Sequence, residues 1–273
     1  MRDFAGKTAF ITGGASGIGL AMAQSFSEAG MKVMVADIEE RALDAAVTGL
    51  RATSAPVRGI VCDVSDRDSV QHAADETFAA FGKVHVVCNN AGVGTGGQME
   101  SISRGDWEWV IGVNVMGVIH GIQAFLPHMK AQGEGGHIVN TSSAVAWGTA
   151  PGIGPYTATK CAIVGLSETL ALELAGTAIG VTVVSPGATR TRIAESARNR
   201  PHRFGARHDV AEAAMEQLAA FIRAGIDPKE VARRVMTAIR DNDLYVFTHP
   251  HDRDLLEERF RRILSAYDKS AAS

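Results

Sequence analysis

Cysteine is scarce in this chain: Cys62, Cys88 and Cys161 are too few and too scattered for a disulfide framework or a paired zinc knuckle. Each reads as a small buried hydrophobe in a reducing compartment. An excess of either charge is also missing. With 27 Lys and Arg against 30 Asp and Glu, a formal net charge of -3, no global basic field gathers nucleic acid or an anionic membrane, and a small near-neutral partner fits better. Residues Met1 to Lys7 hold no apolar segment, so a secretory signal is not expected and a cytoplasmic location is. One segment, Val110 to Leu126, approaches membrane-spanning length but carries Asn114, His120 and Gln123, each costly in hydrocarbon. A buried helix is expected there, with a subunit interface as one setting for it. His249-Pro250-His251-Asp252 offers no third ligand and reads as a turn, so no metal is expected.

What is present is enough apolar sequence, 46% of 273 residues, to bury a sizeable core without metal or disulfide staples. Strand-length runs recur at Thr8–Thr12, Lys32–Ile38, Val57–Val64, Val84–Asn89, His137–Thr141 and Val181–Ser185. They are near-continuous in Val, Ile and Ala, the pattern of strands buried on both faces. Helix-length segments separate them at Ile18–Ala29, Glu39–Ala52, Asp66–Phe81, Arg104–Gln132 and Tyr156–Ala175. The alternation implies βαβ units: an α/β fold with a doubly wound parallel sheet of about seven strands and helices on both faces. No Pro/Ser-rich linker divides it, so one domain is expected over residues 1–273, closed by a strand and a helix within 244–267. The stretch 188–227 breaks the rhythm just after a strand end. Ligands bind outside the carboxyl ends of such strands, so a substrate lid is expected there, with a decorative loop as the plainer alternative.

The first strand runs into Thr12-Gly13-Gly14-Ala15-Ser16-Gly17-Ile18-Gly19 and then an apolar helix. Glycines let a backbone approach a pyrophosphate, and the helix start offers unpaired N–H groups. The spacing is Gly-x-x-x-Gly-x-Gly, and a glycine turn without a ligand is the alternative. Eighteen residues past Gly19, Asp37 stands where a carboxylate would hold ribose hydroxyls and repel a 2′-phosphate. It can equally cap the helix that follows. NAD is therefore expected over NADP, with Arg41 the residue able to reverse this by pairing a phosphate.

These residues, together with Asn89-Asn90-Ala91-Gly92, Tyr156-x-x-x-Lys160 and Pro186-Gly187, resemble the short-chain dehydrogenase/reductase family over about residues 6–190. The resemblance implies a Rossmann-like fold binding NAD through Gly13, Ser16, Gly17, Ile18, Gly19, Asp37, Asp63, Val64, Asn90, Ala91, Gly92, Tyr156, Lys160, Pro186, Gly187, Thr189 and Thr191. It places Asp63 and Val64 beside the adenine and Thr191 at the carboxamide, and the lack of Lys or Arg at Ser16 again favours NAD.

Tyr156 and Lys160, four apart on an expected helix, share one face, where an ammonium and an oxidised nicotinamide would favour the phenolate. Of Ser142 and Ser143 only one can face the tyrosine from a strand end, and the family pattern selects Ser143. Asn114, amid an apolar helix, needs a partner. The resemblance assigns it a water that links Lys160 to solvent, while a bond to backbone is the alternative. The implied reaction is hydride transfer between NAD and a secondary alcohol or ketone.

Pocket-wall candidates are Val93, Gly94, Val145, Trp147, Ile153 and Ile193, mostly apolar, which favours a bulky hydrophobic or aromatic substrate. Ser143 and Tyr156 would meet its oxygen. Trp147 has packing at a subunit contact as an alternative. The stretch Thr189–Val210 holds Arg190, Arg192, Arg198, Arg200, Arg203 and Arg207 against Glu195 and Asp209, a basic surface for a substrate carboxylate or pyrophosphate, or simply a solvated face. Arg192 to Pro201 is locally similar to the lid of family members that oxidise the benzylic (Cα) alcohol of aryl ethers. A non-catalytic NAD-binding regulatory or structural protein and an NADP-dependent ketone reductase are the rivals. Apolar helices at Arg104–Gln132 and Tyr156–Ala175 lead to an expected homodimer or homotetramer.

Overall fold

Runs of Val, Ile and Ala become strands because β-branched side chains pack well on a pleated surface covered from both sides. In the computed structural model β1 (Thr8–Thr12), β2 (Lys32–Asp37), β3 (Val57–Val61), β4 (Val86–Asn89), β5 (Gly136–Thr141), β6 (Ile179–Ser185) and β7 (Tyr245–Phe247) form one parallel sheet. Its order is β3-β2-β1-β4-β5-β6-β7, seven strands as expected. The structure describes residues 1–51, 55–206, 212–250 and 253–271, without the side chains of 212–215 and 271. Ala52, Arg207, Asp209, Val210, His251 and Asp252 lie outside the described residues.

The helices are α1 (Gly17–Glu28), α2 (Glu40–Leu50), α3 (Arg67–Phe81), α4 (Arg104–Ile111), α5 (Gly117–Gln132), α6 (Gly154–Glu173), α7 (Glu212–Arg223), α8 (Pro228–Asp241) and α9 (Arg253–Ala271). Local chemistry sets several starts. Asp66, Ser103 and Asp227 each accept a backbone N–H at the head of α3, α4 and α8, and Pro228 begins α8 where no donor is needed. One sheet face buries Met22 and Phe26 of α1 with Val231, Val235 and Ile239 of α8. The other buries Trp109, Val110, Phe125 and Met129 against Phe10 and Ile138. Phe10 and Phe125 have ring centroids 4.4 Å apart, and each such side chain contributes about 1.5–3 kcal/mol by burial.

Two expectations change. Val57–Val64 was expected to be a strand covered on both faces, but β3 ends at Val61 and is an edge strand, so Arg58, Gly59 and Val61 face solvent. Arg104–Gln132 is not one regular helix: a π-helical turn, Gly112–Met116, joins α4 to α5 and inserts at Asn114. Among the described residues of 188–227, 3-10 turns lie at Ile193–Asn199 and His202–Phe204, with α7 after them. The Arg104–Gln132 element is long and apolar enough to cross a membrane, yet 56% of its most apolar window is buried inside the protein.

His137 on β5 is fully buried, and its Nε2 donates to Thr182 Oγ1 at 2.7 Å, because that hydroxyl's own proton goes to the Asp243 carbonyl. Burial pushes its imidazole down to about 3 from the usual 6.5. Above pH 6.5 the ring is neutral in both folded and unfolded chains. Below it the unfolded chain takes the proton first, so stability falls by ~1.4 kcal/mol per pH unit until about pH 3. Urea unfolding at pH 6, 5 and 4 is expected to show that slope diminished by this amount in His137→Gln; equal slopes in both proteins would contradict it.

Candidate active site

Strand order reverses between β1 and β4, which have their following helices on opposite faces, and this opens a crevice at the carboxyl ends of the strands. A seam of hydrogen bonds from Thr12 defines its floor. The Thr12 hydroxyl accepts from Asn90 N at 2.9 Å and Ala91 N at 3.0 Å, and donates to the Cys88 carbonyl at 3.3 Å. Asn90 Nδ2 donates to the Thr12 carbonyl at 3.0 Å, and its Oδ1 accepts from Thr141 Oγ1 at 3.3 Å. The glycine turn and the β4 end are thereby one unit. A Cβ on Gly19 would fall 2.1 Å from the Gly13 carbonyl oxygen, so the turn requires glycine for its own packing. Gly17 opens α1 at φ +53° with Thr191 against it.

Asp37, at the end of β2, is 8% exposed and bonds the backbone on two sides. Its Oδ2 accepts from Ala15 N in the glycine turn and its Oδ1 from Glu39 N, each at 3.0 Å. Ser16 precedes α1 without a side-chain cap bond, and Ile18 packs toward the core. Asp63 binds Ser65 through Oδ1 and Arg203 through Oδ2, at 2.6 Å each. Burial works to raise its carboxyl, but those hydrogen bonds prevail and hold it below the usual range. The Val64 carbonyl accepts from His120 Nδ1 at 2.9 Å.

Across the crevice, Tyr156 and Lys160 lie on α6, with Nζ 5.5 Å from the phenol ring centroid. Ser143, just past β5, hydrogen-bonds Tyr156. Lys160 is 3% exposed and donates to the Thr141 carbonyl at 2.9 Å, while Ser142 Oγ donates to the Lys160 carbonyl at 2.7 Å. Asn114 Oδ1 accepts from Val93 N, and its Nδ2 donates to the Val93 carbonyl and Thr159 Oγ1. Its side chain thus takes the backbone bonds weighed as the alternative. Lys160 Nζ and Asn114 Oδ1 lie 3.4 and 3.5 Å from where a Cβ on Gly92 would stand, so Gly92 leaves both room.

In the protein alone, burial raises the Tyr156 phenol above its usual 10, opposed by the Ser143 hydrogen bond. Burial also brings Lys160 down to about 8. A low-dielectric site penalises both charged forms, and a net downward shift of the phenol requires further positive charge.

On the substrate side, Gly94 N donates to Ser196 Oγ at 3.3 Å, and Ile193 lies against Gly94. Val145 N donates to Ser143 Oγ at 3.4 Å. The Trp147 indole donates to Ser185 Oγ at 2.8 Å and sits edge-on to Tyr245 and Phe247 within the same chain. Pro186 accepts from Ser143 Oγ, Gly187 N donates to Thr248, and Thr189 Oγ1 donates to the Gly187 carbonyl. The arginines after β6 are not a free basic surface: Arg190 pairs with Asp227, Arg192 with Glu195, Arg198 with Glu39, Arg200 with Asp106 and Arg203 with Asp63. Thr12, Thr141 and Thr159 were not singled out from sequence for these contacts; a threonine at a strand end or one residue from a motif was the available signal. Among the described residues no three His, Cys, Asp or Glu side chains converge as metal ligands.

Comparison with known proteins agrees with this geometry. A C alpha-dehydrogenase of Sphingobium sp. strain SYK-6 is 38% identical over 268 residues, 97% of this chain and 88% of the relative. The crystal structure of a short chain dehydrogenase/reductase from Burkholderia phymatum in complex with NAD superposes with a TM-score of 0.95 at 41% identity, covering 97% of each chain. LigD in its apo form, from Sphingobium sp. strain SYK-6, gives 0.81 at 34% identity over 96% of this chain and 98% of that one. The family profile for short chain dehydrogenase matches residues 7–202, and the chain belongs to that family.

Proposed function

We propose that the protein is an NAD-dependent alcohol dehydrogenase or ketone reductase acting on a bulky hydrophobic or aromatic secondary alcohol or its ketone. The observation that carries the reading is the convergence of Ser143, Tyr156, Lys160 and Asn114 on one side of the crevice, opposite the glycine turn. The residues present fit a dinucleotide: the first turn of α1 offers free N–H groups, and a cavity of about 450 Å³ beside it is lined by Ser16, Gly17, Thr191 and Arg192. Asp37 at the end of β2 suits unphosphorylated ribose hydroxyls. The NAD complex of the Burkholderia relative supports the same choice. The glycine turn, Asp37, Asp63, Val64, Asn90 to Gly92, Pro186, Gly187, Thr189 and Thr191 would hold the cofactor.

Bound NAD supplies the hydride acceptor for oxidation and, when reduced, the donor for reduction. The chain handles the proton. Tyr156 takes it from the alcohol oxygen as the carbinol hydrogen leaves as hydride, and returns it in the reverse direction. Ser143, bonded to the phenol, donates to the substrate oxygen and steadies its charge. Lys160, held by the Thr141 carbonyl, orients the ribose and, with the positive charge of the oxidised nicotinamide, favours the phenolate, and Asn114, bonded to Val93 and beside Lys160, forms part of the proton path to solvent. Residues 188–227 act as the substrate lid, with Ile193 and Val145 on its apolar wall. The resemblance of Arg192–Pro201 to Cα-dehydrogenase lids, in a chain related to such an enzyme, favours an aryl substrate. Three free cysteines fit a cytoplasmic setting. Exposed Ile111, Met116 and Leu172 on the π-turn helix and α6 suit a homodimer or homotetramer.

Tyr156→Phe is expected to abolish turnover, a loss of about 10²-fold or more, while NADH binding by fluorescence changes less than threefold; unchanged turnover refutes the role. A panel of aryl, alicyclic, steroid-like and polyol alcohols, assayed with NAD and NADP separately, is expected to favour aryl or bulky alcohols with NAD. Preference for polyols or NADP overturns the substrate or the cofactor reading, and binding of NAD without turnover on any alcohol favours a non-catalytic role. Light scattering at micromolar concentration is expected to give twice or four times the 28.8 kDa chain mass; a monomer refutes the assembly.

A further inference from the structure

We infer that residues 192–205 are a clasp over the adenosine end of the crevice, fastened by arginines to carboxylates on its rim, and that cofactor exchange requires the clasp to open. The inference rests on the NAD reading above and adds to it a role for the arginine-rich segment. Two fasteners sit on the loops that follow β2 and β3. At the first, Arg198 Nε donates to Glu39 Oε1 at 2.9 Å and Asn199 Nδ2 donates to the same oxygen at 2.8 Å, with Arg192 Nη1 3.6 Å from Glu39 Oε2. Glu39 stands two residues beyond Asp37. At the second, Arg203 Nη2 donates to Asp63 Oδ2 at 2.6 Å and to Ser65 Oγ at 2.7 Å. The segment therefore spans from the ribose flank of the crevice to its adenine flank.

The third attachment differs in kind. Arg200 meets Asp106 of α4 at 2.5 Å with side chains only 5% and 0% exposed, and its guanidinium lies 5.2 Å from the Trp109 ring centroid. Breaking it would leave a buried charge unpaired, whereas the partly exposed pairs at Glu39 and Asp63 open at small cost and are screened by salt. The Arg200 attachment holds the segment on α4 while the outer pairs release. Hydrogen bonds from Arg198 and Asn199 outweigh burial to hold Glu39 below the usual carboxylate range, so the first fastener is ionised at neutral pH. Because these guanidinia already have internal partners, they are poorly placed to hold a substrate carboxylate.

The test is the rate of NADH release, followed by stopped-flow fluorescence on mixing the protein–NADH complex with excess NAD, for the wild type and Arg198→Gln/Arg203→Gln. Release is expected to be about tenfold faster in the double variant. Raising NaCl from about 50 to about 500 mM is expected to speed release from the wild type and barely alter the variant. In the cofactor-free protein, Glu39→Gln keeps every tryptic site and is expected to be cut after Arg198 or Arg203 several-fold faster than the wild type, with global unfolding unchanged. NADH that binds normally but leaves the double variant within twofold of the wild-type rate overturns the clasp alone. Unchanged tryptic cutting in Glu39→Gln does the same. A wild type that binds no NADH overturns the cofactor reading, and the clasp with it.

Discussion

The Thr12 hydroxyl is the contact on which the site depends. It sits at the point where strand order reverses, and all its bonding capacity is used: two backbone N–H groups from the β4 end are accepted and one β4 carbonyl is served. Asn90 doubles the link by returning its amide to the β1 end. Without this seam the glycine turn and the Asn90–Gly92 loop would be independent surface loops, which are ordinarily the mobile parts of a fold. With it, both banks of the crevice hold fixed positions relative to α6. The β5 end joins the same network through Thr141, which bonds Asn90 by its hydroxyl and Lys160 by its carbonyl.

Burial sets the chemistry of the opposite bank. Lys160 is enclosed, its ammonium donates to the Thr141 carbonyl, and burial weakens its hold on the proton. The phenol of Tyr156 is pushed the other way by the same cause. Low dielectric therefore penalises both charged forms, driving the ammonium down and the phenol up and setting their proton affinities further apart than in water. The π turn at Gly112–Met116 contributes by placing Asn114 where its amide grips both polar groups of Val93 and the Thr159 hydroxyl. A regular helix would rotate that side chain away, and a buried amide without partners is costly.

Much of this was legible in the sequence. Continuous Val/Ile/Ala runs separated by helix-length segments sufficed for the parallel sheet, because strands covered on both faces leave no polar alternation to read. The spacing of four between Tyr156 and Lys160 was enough to place them on one helical face. The edge position of β3, the π turn and the ordered turns of 193–204 were not legible, since each depends on what lies opposite in space. The surroundings of Trp147 were not legible either, since its indole packs on Tyr245 and Phe247, about a hundred residues later.

The sequence by itself determined the alternating α/β architecture, the glycine turn between a strand and a helix, and the shared helical face of Tyr156 and Lys160, because these rest on local periodicity and fixed spacing; the choice of Ser143 and the role given to Asn114 rest on the family resemblance. Only the tertiary structure decided where the charge of the arginine-rich segment goes. Composition showed Arg198, Arg200 and Arg203 as an excess of basic residues over nearby acids, since their partners Glu39, Asp106 and Asp63 are 159, 94 and 140 positions away. Opposite charges so distant in the chain meet only because the parallel sheet gathers the carboxyl ends of its strands, with the loops and helix starts that follow them, along one edge.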